Sequence, residues 1–191
     1  TGLLANMGLA SYLSEQGHPF VGVRFYAHEG ALLISEMAFA GEAAAYAGRV
    51  APRLALDHEL LRNACAAGAR FFPAVTDLAR TAGTGGRVLL TGRQEGKEIA
   101  FLAQAVVVAT GASRTLLEAW GVSAASRPTG LAQRLYLTGV PDLSGMLEIY
   151  IDRDVFPGYA WLFPTGPGTA NLGAGIELNG QDTAVAGRKL R

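Results

Sequence analysis

Apolar and polar positions alternate most cleanly near the end of the chain. Tyr159, Trp161 and Phe163 recur at every second residue between Gly158 and Pro164, so a strand there carries three aromatic rings on one face. Strands are also predicted over 131–136, 147–151 and 170–177, with a turn-prone stretch over 139–145. Earlier in the chain the pattern changes period. Residues 3–16 place Leu3, Leu4, Met7, Leu9, Ala10 and Leu13 at mostly helical spacing, closed by Gly17. Residues 57–67 read as the clearest helix, with Leu60, Leu61, Ala64 and Cys65 on one face, Asp57 as cap or first-turn residue and Gly68 as stop. Residues 21–26 and 31–34 predict a hairpin turning at His28-Glu29-Gly30, and the alanine-rich stretch 37–47 fits strand or helix. Strands follow at 71–78, 88–91 and 99–103, then a buried valine-rich strand at 104–109, a short helix or turn at 115–120, and the start of a helix after 181.

This order of elements predicts an α+β fold. Several short strands joined by tight turns after Arg127-Pro128 predict a mixed or antiparallel sheet there. The chain of 191 residues is half hydrophobic, so a sizeable core is expected. Sixteen basic and sixteen acidic residues cancel, with no basic stripe interleaved with aromatics, which argues against nucleic-acid binding. One cysteine excludes an internal disulfide framework, and His18, His28 and His58 lack metal-ligand spacing, so no metal site is expected. No apolar run approaches the roughly 20 residues that span a bilayer. No secretory leader pattern is visible, so a cytoplasmic protein is expected, and peripheral contact with a membrane is compatible with that.

Three places carry candidate chemistry. Arg53, in Pro52-Arg53-Leu54-Ala55-Leu56-Asp57, brings a permanent fork of donors for a phosphate, a ring edge or a carboxylate; a surface ion pair is the plainer alternative. The run Val106-Val107-Val108-Ala109-Thr110-Gly111 takes a strand into a glycine that lets backbone approach a ligand closely, or simply ends a strand in a turn. The aromatic strand is followed by Gly166, Gly168, Asn171, Gly173 and Gly175, which points to a tight turn or a close approach. Asn171 reads as a turn or sheet residue. No histidine, cysteine or paired carboxylate stands out as an obligatory acid, so the catalytic residues stay unassigned.

The ordered motif YxWxFPxxxGxxNxGxG over 159–175 resembles the signature of the geranylgeranyl reductase family of FAD-dependent oxidoreductases, within the group shared with flavin hydroxylases. The RxxLDxxL form at Arg53 and the ATG element ending at Gly111 resemble further segments of that group, although many members carry aspartate where this chain has Thr110. The resemblance implies an FAD cofactor. It implies a Rossmann-like FAD-binding layer packed against the substrate-domain sheet. Flavin contacts would come from Arg53, from main-chain groups at Ala74 and Val75, and from Thr110 and Gly111. Tyr159, Trp161 and Phe163 would face an isoprenoid chain whose C=C bonds are reduced by hydride from reduced flavin, itself supplied by an electron donor. The implied division is a segment leading into the substrate domain (1–52), part of the FAD-binding domain (53–122) and the substrate-domain sheet (123–191). No GxGxxG follows a strand near the start, so an internal piece of such an enzyme, inactive in isolation, is expected. Two other readings use the same residues: a flavin-dependent monooxygenase or halogenase, and a non-catalytic lobe that binds an apolar ligand.

Overall fold

The computed structural model describes residues 2–27, 32–38, 48–122, 129–178 and 187. It divides into two compact units, Thr1–Ala67 with Pro128–Arg191, and Gly68–Arg127. The expected turn at His28-Glu29-Gly30, most of the 37–47 stretch and the helix expected after 181 lie outside the described residues.

The first unit opens with two short helices, α1 (Gly2–Asn6) and α2 (Ala10–Gln16), where the apolar spacing predicted one. Gly8 divides them at φ +80, a left-handed conformation that an α-helix interior does not accept. Leu9 is fully buried just past this break, and Leu13 of α2 is buried as well. Strand β1 (His18–Pro19) leads to β2 (Gly22–Ala27) and β3 (Leu32–Ala38), and β4 (Arg49–Val50) returns to pair with β1. Helix α3 (Arg53–Ala66) starts four residues before the expected position. Pro52 precedes it at φ −58, already set for a helix and with no N–H to leave unsatisfied. Asp57 therefore caps nothing and lies in the second turn. Leu60 and Leu61 are half-buried as expected, whereas Ala64 and Cys65 are exposed. Asn63 Nδ2 donates to the carbonyls of Met7 and Gly8, both at 3.3 Å, and so ties α3 to the α1–α2 break.

The second unit is an antiparallel meander of β5 (Thr76–Ala82), β6 (Val88–Gln94) and β7 (Lys97–Ala103), with the short helix α4 (Thr115–Ala119). Two expectations fail here. The strand predicted from 71 begins only at Thr76, because Pro73 and then Ala74 at φ 53 turn the chain first. The valine-rich run 104–109 is not a strand, and Val107 is 87% exposed. A buried strand needs ladder partners, and among the described residues β5, β6 and β7 pair only with one another. The glycines at 83–86 sit in the β5–β6 connection, a hairpin context as the sequence indicates. Helix α4 is held by Arg80, whose guanidinium donates to the Trp120 carbonyl at 2.6 Å and lies 5.8 Å from the indole centroid.

The chain then returns to the first unit and adds β8 (Gly130–Thr138), β9 (Met146–Ile151), β10 (Gly158–Gly166) and β11 (Thr169–Glu177). With β2 and β3 they form a six-stranded sheet in the order β3-β2-β9-β10-β11-β8. All pairs are antiparallel except β2 with β9, so the sheet is mixed and the fold is α+β, as predicted. Its best-buried cluster is Val155, Ile176 and Leu178, flanked by Leu131 and Ala174.

Candidate functional site

Strand pairing decides what lies beside the aromatic row. Trp161 is opposite Gly173 and Phe163 opposite Asn171, while Asn171 and Gly173 are in turn opposite Tyr136 and Arg134. Directly opposed residues share a face. One face of the sheet thus presents Tyr159, Trp161 and Phe163 from β10, Asn171, Gly173 and Gly175 from β11, and Arg134 and Tyr136 from β8. The Tyr159 and Trp161 rings are 5.9 Å apart and tilted by 57°; Trp161 and Phe163 are 6.3 Å apart and tilted by 33°.

Trp161 is fixed at both ends. Its indole Nε1–H donates to Asn171 Oδ1 at 2.6 Å. Its six-membered ring lies directly over Gly173, where a Cβ would collide with Cζ2 and stand 2.6 Å from Cε2. Gly173 is a glycine because a ring covers it. Gly168, at φ +63, supplies the turn between β10 and β11. The two readings of the glycine-rich stretch, tight turn and close approach, therefore apply at different residues.

The row borders two clefts. One, of about 310 Å³, is lined by Phe163, Asn171, Arg134 and Tyr136 together with Val50 and Arg53 beside the start of α3. The other, of about 490 Å³, is lined by Leu131, Ala132, Pro157, Gly175, Ile176 and Glu177. Tyr159 and Trp161 line both. The structure thus brings the three predicted aromatics together in a concave, mostly apolar place. Arg134, Tyr136 and Val50 carry no signal in the linear sequence, because only the β8–β11–β10 register and the β1–β4 ribbon bring them here.

Arg53 reaches the first cleft from the first residue of α3. It also makes the ion pair that was its plainer alternative: Nε and an Nη donate to the two Asp57 carboxylate oxygens, each at 3.0 Å. These hydrogen bonds, and then the carboxylate's charge, raise the guanidinium pKa above its ordinary value. The side chain is 63% exposed, so the pair is screened and adds little stability. A guanidinium has five donors, and two are committed here.

The other four predicted cofactor residues belong to the second unit. Ala74 and Val75 form the turn into β5. Thr110 Oγ1 donates to the Ser113 carbonyl at 2.7 Å, and Ser113 N–H donates to the Thr110 carbonyl at 3.2 Å. Gly111 has φ +60, and the space where a Cβ would project is open. Among the described residues no group of histidine, cysteine and carboxylates could hold a metal ion.

The reverse face of the sheet carries a polar group that the sequence did not single out. Glu148 accepts from Ser144 Oγ and from Tyr150 Oη, each at 2.6 Å. Tyr150 stacks on Tyr26 with centroids 5.0 Å apart, and Arg24 pairs with Glu36 nearby. Burial, and then the hydrogen bond to Glu148, push the Tyr150 phenol well above its ordinary value. The proton on Tyr150 thus favours the folded state. This stability is fully present below about pH 10, where a free tyrosine titrates, and is lost as pH rises from there towards the folded value. Denaturant melts between about pH 9 and 12 should show an alkaline loss that Tyr150→Phe flattens; an identical slope in both proteins would refute this assignment.

Residues 130–188 match the family model of the geranylgeranyl reductase catalytic domain. Digeranylgeranylglycerophospholipid reductase 1 of Methanosphaera stadtmanae is 28% identical over 142 residues, which are 72% of this chain and 34% of that protein. A geranylgeranyl bacteriochlorophyll reductase-like protein of Thermoplasma acidophilum superposes on 99% of this chain with a TM-score of 0.79 and 22% identity, and this chain spans 48% of its length. The flavin-dependent halogenase CmlS shares the fold over 97% of the chain, which spans 34% of its length, with a TM-score of 0.70 and 19% identity. The chain thus spans between about a third and a half of these relatives. By the match over 130–188, by the curated relative and by its fold, the chain resembles the geranylgeranyl reductase family of FAD-dependent oxidoreductases.

Proposed function

We propose that this chain supplies the prenyl-binding wall, and part of the flavin-binding surface, of an FAD-dependent reductase that saturates C=C bonds of an isoprenoid lipid. The observation that carries the reading is the row of Tyr159, Trp161 and Phe163 on β10, its middle ring clamped by Asn171, inside the segment that matches the reductase catalytic domain. An apolar chain laid on this row gains roughly 25 cal/mol per Å² buried, and the tilted rings keep water from its double bonds. A reduced flavin, when bound, supplies the hydride for one carbon of the double bond.

The residues present fit a flavin in kind. Gly111 leaves room for close approach of backbone, Thr110 keeps hydroxyl lone pairs free as acceptors, and the main chain at Ala74 and Val75 belongs to a turn outside any ladder. Arg53 keeps three donors beyond its Asp57 pair for a phosphate or a ring edge. An electron donor for the flavin and contact with a lipid surface belong to the same reading. None of the described helices is long and apolar enough to cross a membrane.

The test is ligand binding to the full chain. Geranylgeraniol should quench tryptophan fluorescence saturably, and a planar phenol or indole should displace it poorly. Absence of saturable quenching overturns the reading. Efficient displacement by the planar aromatic would instead favour the hydroxylase or halogenase chemistry whose fold the chain shares. Addition of FAD followed by desalting, read from the visible flavin bands, reports separately on the flavin surface.

A further inference from the structure

The two clefts meet at Trp161, and the way this ring lies decides whether they act as two sites or one. Its six-membered ring rests on Gly173 and reaches towards Gly175, where the distance from a built Cβ to Cζ3 is 3.9 Å. A ring lying down on the sheet is a floor rather than a partition. The clefts follow one another along β10, the first lined by Thr165 and Phe163, the second by Pro157 and Gly158, with Tyr159 and Trp161 common to both. Strand geometry gives this stretch a length of roughly 25 Å, at about 3.3 Å per residue. Each cleft alone sits in the lower half of the volume range of small-molecule sites, roughly 300 to 1,000 Å³.

We propose that Gly173 is a specificity-determining residue: by lacking a Cβ it keeps the Trp161 ring down, joins the two clefts, and so sets the length of apolar chain that the groove accepts. This inference rests on the prenyl-binding reading above. Any side chain at 173 must displace the ring, since a Cβ there collides with Cζ2. The indole can leave only upwards, into the groove, because the sheet lies beneath it. The raised ring severs the groove at its middle. A short chain still fits one cleft, whereas a long chain loses the part that crosses the ring. Asn171 acts as a positioning residue in the same device, because its hydrogen bond holds the pyrrole edge in place.

The test compares geraniol, with ten carbons, and geranylgeraniol, with twenty, on the full chain by calorimetric titration. In Gly173→Ala the ratio of the two affinities should fall by about tenfold against the long alcohol, the loss that two buried methylenes carry. A Cβ at 173 also comes within 2.7 Å of the Gln133 carbonyl, so folding is checked by melting, and a second arm removes the ring instead. With Trp161→Leu in place there is no ring to lift, and adding Gly173→Ala should leave the ratio of that background unchanged. An unchanged ratio in folded Gly173→Ala, or the same shift with and without the ring, overturns the inference. Failure of the unaltered chain to bind either alcohol would instead remove the prenyl-binding reading on which it stands.

Discussion

Gly22→Ala should break the junction that joins the β2–β3 pair to the rest of the sheet. Gly22 is buried, opposite Ala38 on one side and Met146 on the other, where β2 pairs parallel with β9. A Cβ there collides with the Met37 carbonyl oxygen and stands 2.6 Å from Met146 Cε and 2.9 Å from Ala38 Cα. Two of these three obstacles are backbone, which no rotamer change can move aside. Overpacking of this kind typically costs 1 to 3 kcal/mol, and backbone clashes fall at or beyond the upper end, so about 3 kcal/mol is expected. In a protein of this size that lowers Tm by roughly 6 to 12 °C. Gly145→Ala is the matched control, because its Cβ would meet only Val21 Cγ2, at an ordinary 3.6 Å. Thermal melts of the two variants against the unaltered chain decide it: equal Tm values would mean that β2 and β9 do not approach as closely as described.

The strand elements of the sheet were readable because their cause is local. Alternation over 159–163 and 170–177, with turn residues between, is enough to place β10 and β11, and their bounds lie within three residues of expectation. The helices were less legible for equally local reasons. One left-handed glycine, Gly8, splits a helix that apolar spacing alone runs together, and Pro52 starts α3 ahead of the residue that looked like its cap. Residues 104–109 failed for a different reason. A run of valines states that a segment is apolar, but whether it becomes a strand depends on a neighbour to bond with. For the site, side-chain chemistry was legible and adjacency was not. The three aromatics announce themselves by their spacing, yet Arg134 and Tyr136 join them only through the β8–β11 register. The function of Gly173 likewise appears only once the ring that covers it is in place.

Removing the Trp161 ring should have the largest effect on prenyl binding. Aromatic side chains bury roughly 150 to 250 Å² in full contact, and a ring lying on a sheet offers about half of that to a ligand. At about 25 cal/mol per Å² this half-face is worth about 2 kcal/mol, so Trp161→Ala should weaken geranylgeraniol binding roughly thirtyfold. Asn171→Leu keeps the ring and the approximate side-chain size but strips the indole N–H of its acceptor. The freed ring can then leave Gly173, and an unpaired N–H in an apolar groove costs about 1 to 3 kcal/mol if it stays. A loss of roughly tenfold is expected for Asn171→Leu, smaller than for removal of the ring itself. The two effects should not add: with Trp161→Ala present there is no ring to hold, and Asn171→Leu should then cost little more. A double-mutant cycle in calorimetric titrations with geranylgeraniol checks this, with Tm values recorded to separate binding from unfolding. Additive losses would show that Asn171 acts on the ligand directly rather than through Trp161, and an unchanged affinity in Trp161→Ala would move the prenyl site away from β10 altogether.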